Sequence, residues 1–325
     1  MKVKLKDEEM KMRMSKMLNF ILKAIGVLVI AIGLFLAIVF IVNIISNKSE
    51  QGKIQSYGQL VPVDGKNMNV FIQGKGEETV VLLPGYGTAA PALDFKPLVE
   101  ELSPFYKVVV IEPFGYGLSD DTEKERSIEN IVNEAHEALQ SLKIDRYILM
   151  GHSIAGIYGL DYVNKYEDEV SAFVGIDSSV PTQGGTDVEL PIETIKLLKR
   201  SGLARLLMKI APDPFAKLTF DDETKEQMRI LALKNMYNSS TLNEMKNFNT
   251  NFKAAENLTF PKNLPIIFFV QADDTETEGW IPLHEEQVKD SVHGKVMTFE
   301  GGHYLHHTRS KEMVENFRNF MEDIK

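Results

Sequence analysis

Apolar residues fill one stretch near the N-terminus of the chain and recur periodically over the rest. Every residue from Ala24 to Val42 is apolar or glycine. At about 1.5 Å per helical residue this run spans about 28 Å, which matches the hydrocarbon thickness of a bilayer. The pattern predicts a transmembrane helix over 18–46, with a short cytoplasmic segment at 1–17 before it and a linker at 47–58 after it.

The charges around this run predict its orientation. Seven basic residues precede it, whereas only Lys48 and Lys53 follow it closely. Because basic residues stay on the cytoplasmic side, we expect a cytoplasmic N-terminus and an extracellular remainder, in a single-pass protein of the cell membrane. The run is longer than the apolar region of a cleaved signal peptide, and Ile44–Asn47 is a poor cleavage site, so we interpret it as an uncleaved signal anchor.

Beyond the linker, strand patterns alternate with helix patterns. Short runs rich in β-branched or aromatic residues predict strands, among them Thr79–Leu83, Tyr147–Met150 and Ile266–Val270. Helical periodicity lies between such runs, as at Ile128–Leu142. Strands alternating with helices predict an α/β fold with a mostly parallel sheet over 59–325.

One part of this region departs from the alternation. Between about 181 and 260 there is no β-type run, and apolar residues recur at helical spacing, as in Leu203–Ile210. This pattern predicts an all-helical insertion within the α/β unit.

Composition narrows the class of protein. The 325 residues include 36 basic and 46 acidic side chains, for a net charge of −10, and no cysteine. The lack of cysteine excludes disulfides, thiolate nucleophiles and thiolate zinc sites. The acidic balance argues against nucleic-acid binding. The sequence has no metal-ligand constellation and no glycine-rich phosphate motif opening a helix, so we expect neither a metal nor a cofactor.

The segment Gly151–Gly156 (GHSIAG) carries the sharpest chemical signal. It follows a predicted strand and opens a helix rich in small residues. This strand–turn–helix context is that of a nucleophile elbow, in which a serine sits on a tight turn at the end of a central strand. Ser153 is therefore the predicted nucleophile.

A serine nucleophile needs a base, and His303 is the best placed histidine. It follows two glycines in a loop directly after the last predicted strand. A glycine-rich loop can carry the imidazole across the strand ends toward the serine. His306 and His307 lie close by in the sequence and are the competing choices.

The base in turn needs a carboxylate that fixes its tautomer. Asp274 follows the strand Ile266–Val270 and is the preferred residue, with the adjacent Asp273 as an alternative. Asp177, which follows an earlier predicted strand, is a third possibility.

Acyl transfer also needs donors for the developing oxyanion. The loop Leu83–Gly87 follows a predicted strand. The backbone N–H groups of Tyr86 and Ile154 are the predicted oxyanion hole.

These motifs together resemble the α/β-hydrolase superfamily of serine hydrolases, over roughly Gly58 to Lys325. The resemblance rests on LLPGYG, EPFGYGLSD, GHSIAG, the aspartates after IIFFV, and GGHYLHH. With the N-terminal helix, the chain is similar to membrane-anchored members from low-GC Gram-positive bacteria. The resemblance implies an eight-stranded, mostly parallel sheet with helices on both faces, a helical cap at the insertion, and the acid at Asp274.

The resemblance also implies a carboxylic ester hydrolase of the esterase or lipase type, acting on small-molecule or lipid esters of short to medium acyl groups. Ser153 stands where epoxide hydrolases and haloalkane dehalogenases have an aspartate, which argues against those activities. A peptidase, thioesterase or acyltransferase would use the same triad. A non-catalytic, membrane-tethered binding protein is the least expected alternative, because all three triad positions are filled.

Overall fold

The computed structural model describes residues 2–185 and 190–324. It begins with one long helix, α1 (Lys2–Gln51), which is long and apolar enough to cross a membrane. The helix extends into the segment 47–58 that was predicted as a linker. No glycine or proline interrupts its last turns, and Gly52 follows its last residue, as is common at helix ends.

The described residues form an eight-stranded sheet in the order β1-β2-β4-β3-β5-β6-β7-β8. The strands are β1 (Gln59–Val63), β2 (Lys66–Gln73), β3 (Thr79–Leu83), β4 (Lys107–Glu112), β5 (Tyr147–His152), β6 (Val170–Ile176), β7 (Ile266–Gln271) and β8 (Gly294–Phe299). From β4 to β8 all neighbouring strands are parallel, whereas β1 and β2 form an antiparallel edge. The predicted eight-stranded, mostly parallel sheet is confirmed.

Helices cover both faces of this sheet. After α1, the described helices are α2 (Pro91–Asp94), α3 (Lys96–Leu102), α4 (Ile128–Ser141), α5 (Ala155–Lys165), α6 (Ile192–Ser201), α7 (Leu203–Ile210), α8 (Asp222–Asn235), α9 (Ser239–Ala255), α10 (Trp280–Val288), α11 (Leu305–Thr308) and α12 (Ser310–Asp323). Successive residues of β3 alternate between two apolar clusters. Val81 and Leu83 pack in the cluster with α4 and α5, and Val80 and Leu82 in the cluster with α3 and α12. Burial on both faces explains the unbroken apolar runs of the central strands.

The described part of the insertion contains α6 to α9 and no strand. Its helices fall into two compact units. The anchor unit comprises the residues up to Gly52 together with Glu193–Asp213, so that α6 and α7 belong with α1. The sheet unit comprises Lys53–Ile192 and Pro214–Lys325, so that α8 and α9 belong with the sheet. The predicted single cap is thus divided between the two units.

Candidate active site

The carboxyl ends of the parallel strands carry the residues singled out in the sequence. In the sheet, β5 lies between β3 and β6, and β7 lies between β6 and β8. Ser153 follows β5, Asp177 follows β6, and His303 lies in the loop after β8. Because parallel strands end at the same edge, the sheet topology brings these loops together, as is usual for ligand sites of open α/β sheets.

Ser153 occupies a strained backbone position at this edge. Its φ of 56° lies in the left-handed region that non-glycine residues rarely adopt. Its backbone N–H donates to the carbonyl of Ile176 at 3.2 Å, and its carbonyl accepts from Gly156 at 2.9 Å. Strain of this kind persists where the surrounding structure enforces it, and it is the geometry of a nucleophile elbow.

Residues next to Ser153 must be small, because nearby backbone atoms leave no room for larger side chains. A Cβ on Gly151 would lie 2.8 Å from the carbonyl oxygen of Ala155, and one on Gly156 would lie 2.2 Å from that of Ser179. Real Cβ atoms do not approach backbone so closely, so α5 could not begin where it does with larger residues at these positions. These small residues therefore allow the first turn of α5 to begin close to Ser153.

His303 is hydrogen-bonded to Asp177. The distance from His303 Nδ1 to Asp177 Oδ2 is 2.7 Å. The imidazole is 44% exposed, whereas the aspartate side chain is only 1% exposed. In the described part of the chain no hydrogen bond joins the Ser153 hydroxyl to His303. In enzymes without substrate such bonds are often long and tighten in the complex.

Asp177 is held as an ionised acceptor. Its other oxygen, Oδ1, accepts from the backbone N–H of Gln271 at 2.9 Å and from Trp280 Nε1 at 2.8 Å. Burial raises the pKa of Asp177, but the hydrogen bonds from His303, Gln271 and Trp280 outweigh burial, and the pKa lies below its ordinary value. A charged carboxylate at this position orients the imidazole and stabilises an imidazolium.

The structure departs here from the preferred sequence assignment. No hydrogen bond joins Asp274 to His303 among the described residues. Its Oδ1 accepts from the backbone N–H groups of Glu276 at 3.1 Å and Thr277 at 2.7 Å, so it closes a turn of its own loop. Asp273 is exposed. The histidine instead pairs with the third candidate, Asp177, because β6 adjoins the strand of the serine and ends at the same edge.

Two further residues of the site were not predicted. The first is Trp280, which donates to Asp177 and whose only sequence signal is that it is the sole tryptophan of the chain. The second is His152, which is buried. Its Nε2 lies 3.1 Å from the carbonyl oxygen of His303. Burial lowers the pKa of His152 well below its ordinary value, so the neutral ring holds the loop of the predicted base from below.

The neighbouring histidines serve a different carboxylate. His306 Nε2 and His307 Nε2 lie 2.7 Å and 2.9 Å from the two oxygens of Asp94. Within the residues that the structure describes, these three are the group whose ligand atoms lie close enough together to hold a metal ion, all within 4.8 Å. The two hydrogen bonds already satisfy the carboxylate, so the set has an ordinary structural explanation.

The loop after β3 closely approaches the elbow. A Cβ on Gly85 would lie 2.9 Å from Ser153 Cβ and 2.8 Å from His152 Nδ1. Next to it, the hydroxyl of Tyr86 donates to the carbonyl of Thr241 at 3.1 Å, and the Tyr86 ring packs edge-on against Phe248 at 4.6 Å. Helix α9 thus fixes the residue whose N–H was predicted as an oxyanion donor.

Known proteins share this architecture. The sequence profile of the alpha/beta hydrolase fold family matches residues 78–259. An uncharacterized protein, YbdG, from Bacillus subtilis (strain 168) is 30% identical over 78% of this chain and 81% of its own length. The Karrikin insensitive 2 receptor CA of Petunia hybrida is 33% identical over 28% of this chain and 35% of its own length.

Among solved structures, a thermophilic esterase from Thermogutta terrifontis aligns with a TM-score of 0.61 at 15% identity, over 83% of this chain and 99% of its own. This likeness shows the fold, and the Bacillus relative agrees with the resemblance to proteins of low-GC Gram-positive bacteria. The profile match covers more than half of the chain and includes the elbow and Asp177. The chain therefore belongs to the α/β-hydrolase fold family.

Proposed function

We propose that the protein is a membrane-anchored serine hydrolase that cleaves carboxylic esters through Ser153, His303 and Asp177. The observation that carries the proposal is the 2.7 Å hydrogen bond between His303 Nδ1 and Asp177 Oδ2, at the strand edge where Ser153 is strained into an elbow. Asp177 replaces Asp274 as the acid that we assign. The backbone N–H groups of Tyr86 and Ile154 are the proposed oxyanion hole.

The chemistry follows from this arrangement. With Nδ1 bound to Asp177, the neutral imidazole leaves Nε2 to take the proton of Ser153 as its oxygen attacks the ester carbonyl. The N–H groups at the elbow and in the Tyr86 loop would stabilise the oxyanion of the tetrahedral intermediate. The imidazolium then gives its proton to the leaving alcohol, and water hydrolyses the acyl-enzyme by the same steps.

The nucleophile is tested by covalent labelling of the full-length protein in detergent. A fluorophosphonate probe should label the wild type, and Ser153→Ala should lose the label together with about 10⁶-fold of esterase turnover. The matched control is Ser141→Ala, since Ser141 is exposed and lies on α4. Equal labelling of Ser153→Ala and wild type would refute the assignment.

The substrate class is tested with esters of graded acyl length beside matched amides and thioesters. We expect the highest kcat/KM for short to medium acyl or lipid esters. A preference for amides would indicate a peptidase, and a preference for thioesters a thioesterase. If no substrate were turned over and no probe bound, a non-catalytic binding protein would be the better description.

A further inference from the structure

Arg205 of helix α7 forms an ion pair and hydrogen bonds with α1. Arg205 Nη1 lies 2.8 Å and 2.7 Å from the two carboxylate oxygens of Glu50, and Arg205 Nε donates to Asn43 Oδ1 at 2.9 Å. Arg205 Nη2 also donates to Asn47 Oδ1. The two charged side chains are only 9% and 19% exposed, so this is a largely buried ion pair in which several guanidinium donors are used.

The partners of Arg205 lie together on one side of α1. Asn43, Asn47 and Glu50 are spaced four and three residues apart, which places them on one face of α1. This face is also less exposed than the rest of the helix at Val39 and Ser46. The polar residues that interrupt the apolar N-terminal segment are thus explained by the helix that packs on them.

The contact reaches into the apolar segment itself. At Gly202, between α6 and α7, an added Cβ would lie 2.7 Å from Asn43 Cβ and 3.0 Å from the carbonyl oxygen of Val39. Val39 lies before the end of the apolar run at Val42. The α6–α7 junction therefore packs against α1 at the last turn of that run.

On either side of this junction, α6 and α7 expose apolar side chains beside basic ones. Leu207 is 52% and Ile210 72% exposed, and they are three residues apart on one side of α7. Leu197 on α6 is exposed as well. Residues 192–213 carry five basic and two acidic side chains, within a chain whose net charge is −10. An amphipathic, basic, apolar-faced element is typical of segments that lie in a membrane interface.

We propose that α6 and α7 form an interfacial lipid-binding element, with Leu207 and Ile210 inserted at the boundary of headgroups and acyl chains of the bilayer that α1 crosses. The inference rests on the membrane anchoring proposed above. The occupant of the apolar face is lipid, because Arg205 and Gly202 hold this face at the end of the apolar run of α1. The exposed basic side chains of these helices, Arg200 and Lys209, then meet anionic headgroups.

The absence of cysteine allows a direct test with the full-length protein. Single variants Leu207→Cys and Ile210→Cys are labelled with an environment-sensitive fluorophore and reconstituted into vesicles containing spin-labelled phosphatidylcholine. Leu34→Cys, within the apolar run and 61% exposed, reports insertion of α1. Val292→Cys, in the sheet unit and 65% exposed, is the matched aqueous control.

We expect the labels at 207 and 210 to be quenched at least about fivefold more strongly than the label at 292, as for groups about 5–10 Å into the interface. If only the label at 34 were quenched, anchoring would stand and the interfacial element would be refuted. If the label at 34 were not quenched either, the membrane anchoring and the interfacial element would both be refuted. Labels at 207 and 210 that are shielded from aqueous iodide but not quenched by lipid would reveal a protein partner, such as a second copy, and would also overturn the proposal.

Discussion

Asp177 accepts three hydrogen bonds, and each limits what its side chain can do. Two donors on Oδ1 fix the rotation of the carboxylate, so that Oδ2 has a single direction in which to face His303. At the scale of the residue, the proposed acid is therefore oriented before any substrate arrives, an arrangement that would favour catalysis by removing reorganisation from the reaction step.

We predict that Asp177→Asn lowers kcat by about 10⁴-fold while the fold is retained. The asparagine oxygen still accepts from Gln271 and Trp280, which leaves the amide NH₂ facing His303 and favours the wrong tautomer. Asp274→Asn is the matched control, because its Oδ1 can keep the turn to Thr277, and it should retain activity within about tenfold. The measurements are the turnover and the thermal stability of both variants. A large loss of turnover in Asp274→Asn, with activity retained in Asp177→Asn, would instead indicate Asp274 as the acid.

A second prediction concerns Gly85. Gly85→Ala places a methyl group within 3 Å of Ser153 Cβ and of the His152 ring, neither of which can move freely. We expect kcat/KM to fall about 100-fold, as for other small displacements of a reacting group. Gly184→Ala, where the added carbon meets nothing within 4 Å, should leave kcat/KM unchanged. Equal activity of the two variants would show that the loop after β3 tolerates displacement.

The choice of acid marks the limit of sequence reasoning at this scale. The elbow could be recognised because strand, small residues and serine are adjacent in the chain. The acid that we propose is identified by a contact between residues 126 positions apart, whereas three aspartates after strands offered the same local signal. Only the order of the strands, together with the indole of Trp280 more than 100 positions from Asp177, decides between them.

At the scale of the element, α9 is attached through a buried carboxylate. Glu244 Oε2 accepts from the hydroxyl of Tyr116 at 2.7 Å, and Oε1 accepts from that of Tyr158 at 2.8 Å. Burial raises the pKa of Glu244, and the positive charge of Arg126 and the two tyrosines offset this only in part. The helix that holds Tyr86 in place is thus fixed by a group that folding favours in its protonated form.

This raised pKa gives a prediction with a definite sign. The stabilisation from Glu244 is fully present below its unfolded pKa of about 4.5 and is lost as pH rises through the raised folded value. Unfolding temperatures of wild type and Glu244→Gln, measured from pH 4.5 to 8, should shift in favour of the variant as pH rises. Exposed Glu315→Gln should show no such trend, and a flat difference for Glu244→Gln would contradict the prediction.

The elements themselves were largely readable from the sequence. Buried strands such as β3 and β7 can be recognised in the sequence as short β-branched or aromatic runs, because both of their faces are covered. The insertion was readable as helical for the same kind of reason. Its division between two units was not, because helical periodicity shows that a face is apolar or polar and leaves open which surface covers it.

At the scale of the whole molecule, charge is unevenly distributed. The chain carries −10 overall, yet the segment before the apolar run is basic. Such asymmetry is the usual determinant of orientation for a single helix in a membrane. It supports the proposed topology, in which the residues beyond α1 face the outside of the cell.

We predict that an impermeant maleimide added to intact, wall-stripped cells labels Val292→Cys and leaves Met12→Cys unlabelled. Both side chains are more than half exposed, so any difference in their labelling in intact cells should come from the membrane barrier alone. Permeabilised cells should label both variants equally, which controls for reactivity. Labelling of Met12→Cys alone in intact cells would reverse the topology.

The contact of Arg205 with Glu50 bears on how the protein matures. A secretory leader is disposable because the domain that it delivers makes no use of it once folded. Here a residue more than 150 positions downstream relies on the N-terminal helix for its counter-charge. Proteolytic removal of that helix would leave the guanidinium without its carboxylate and without its two asparagine acceptors. We therefore expect the segment that would direct export to be retained as a structural part of the protein, because a shed form would lose the contacts that α7 makes with it.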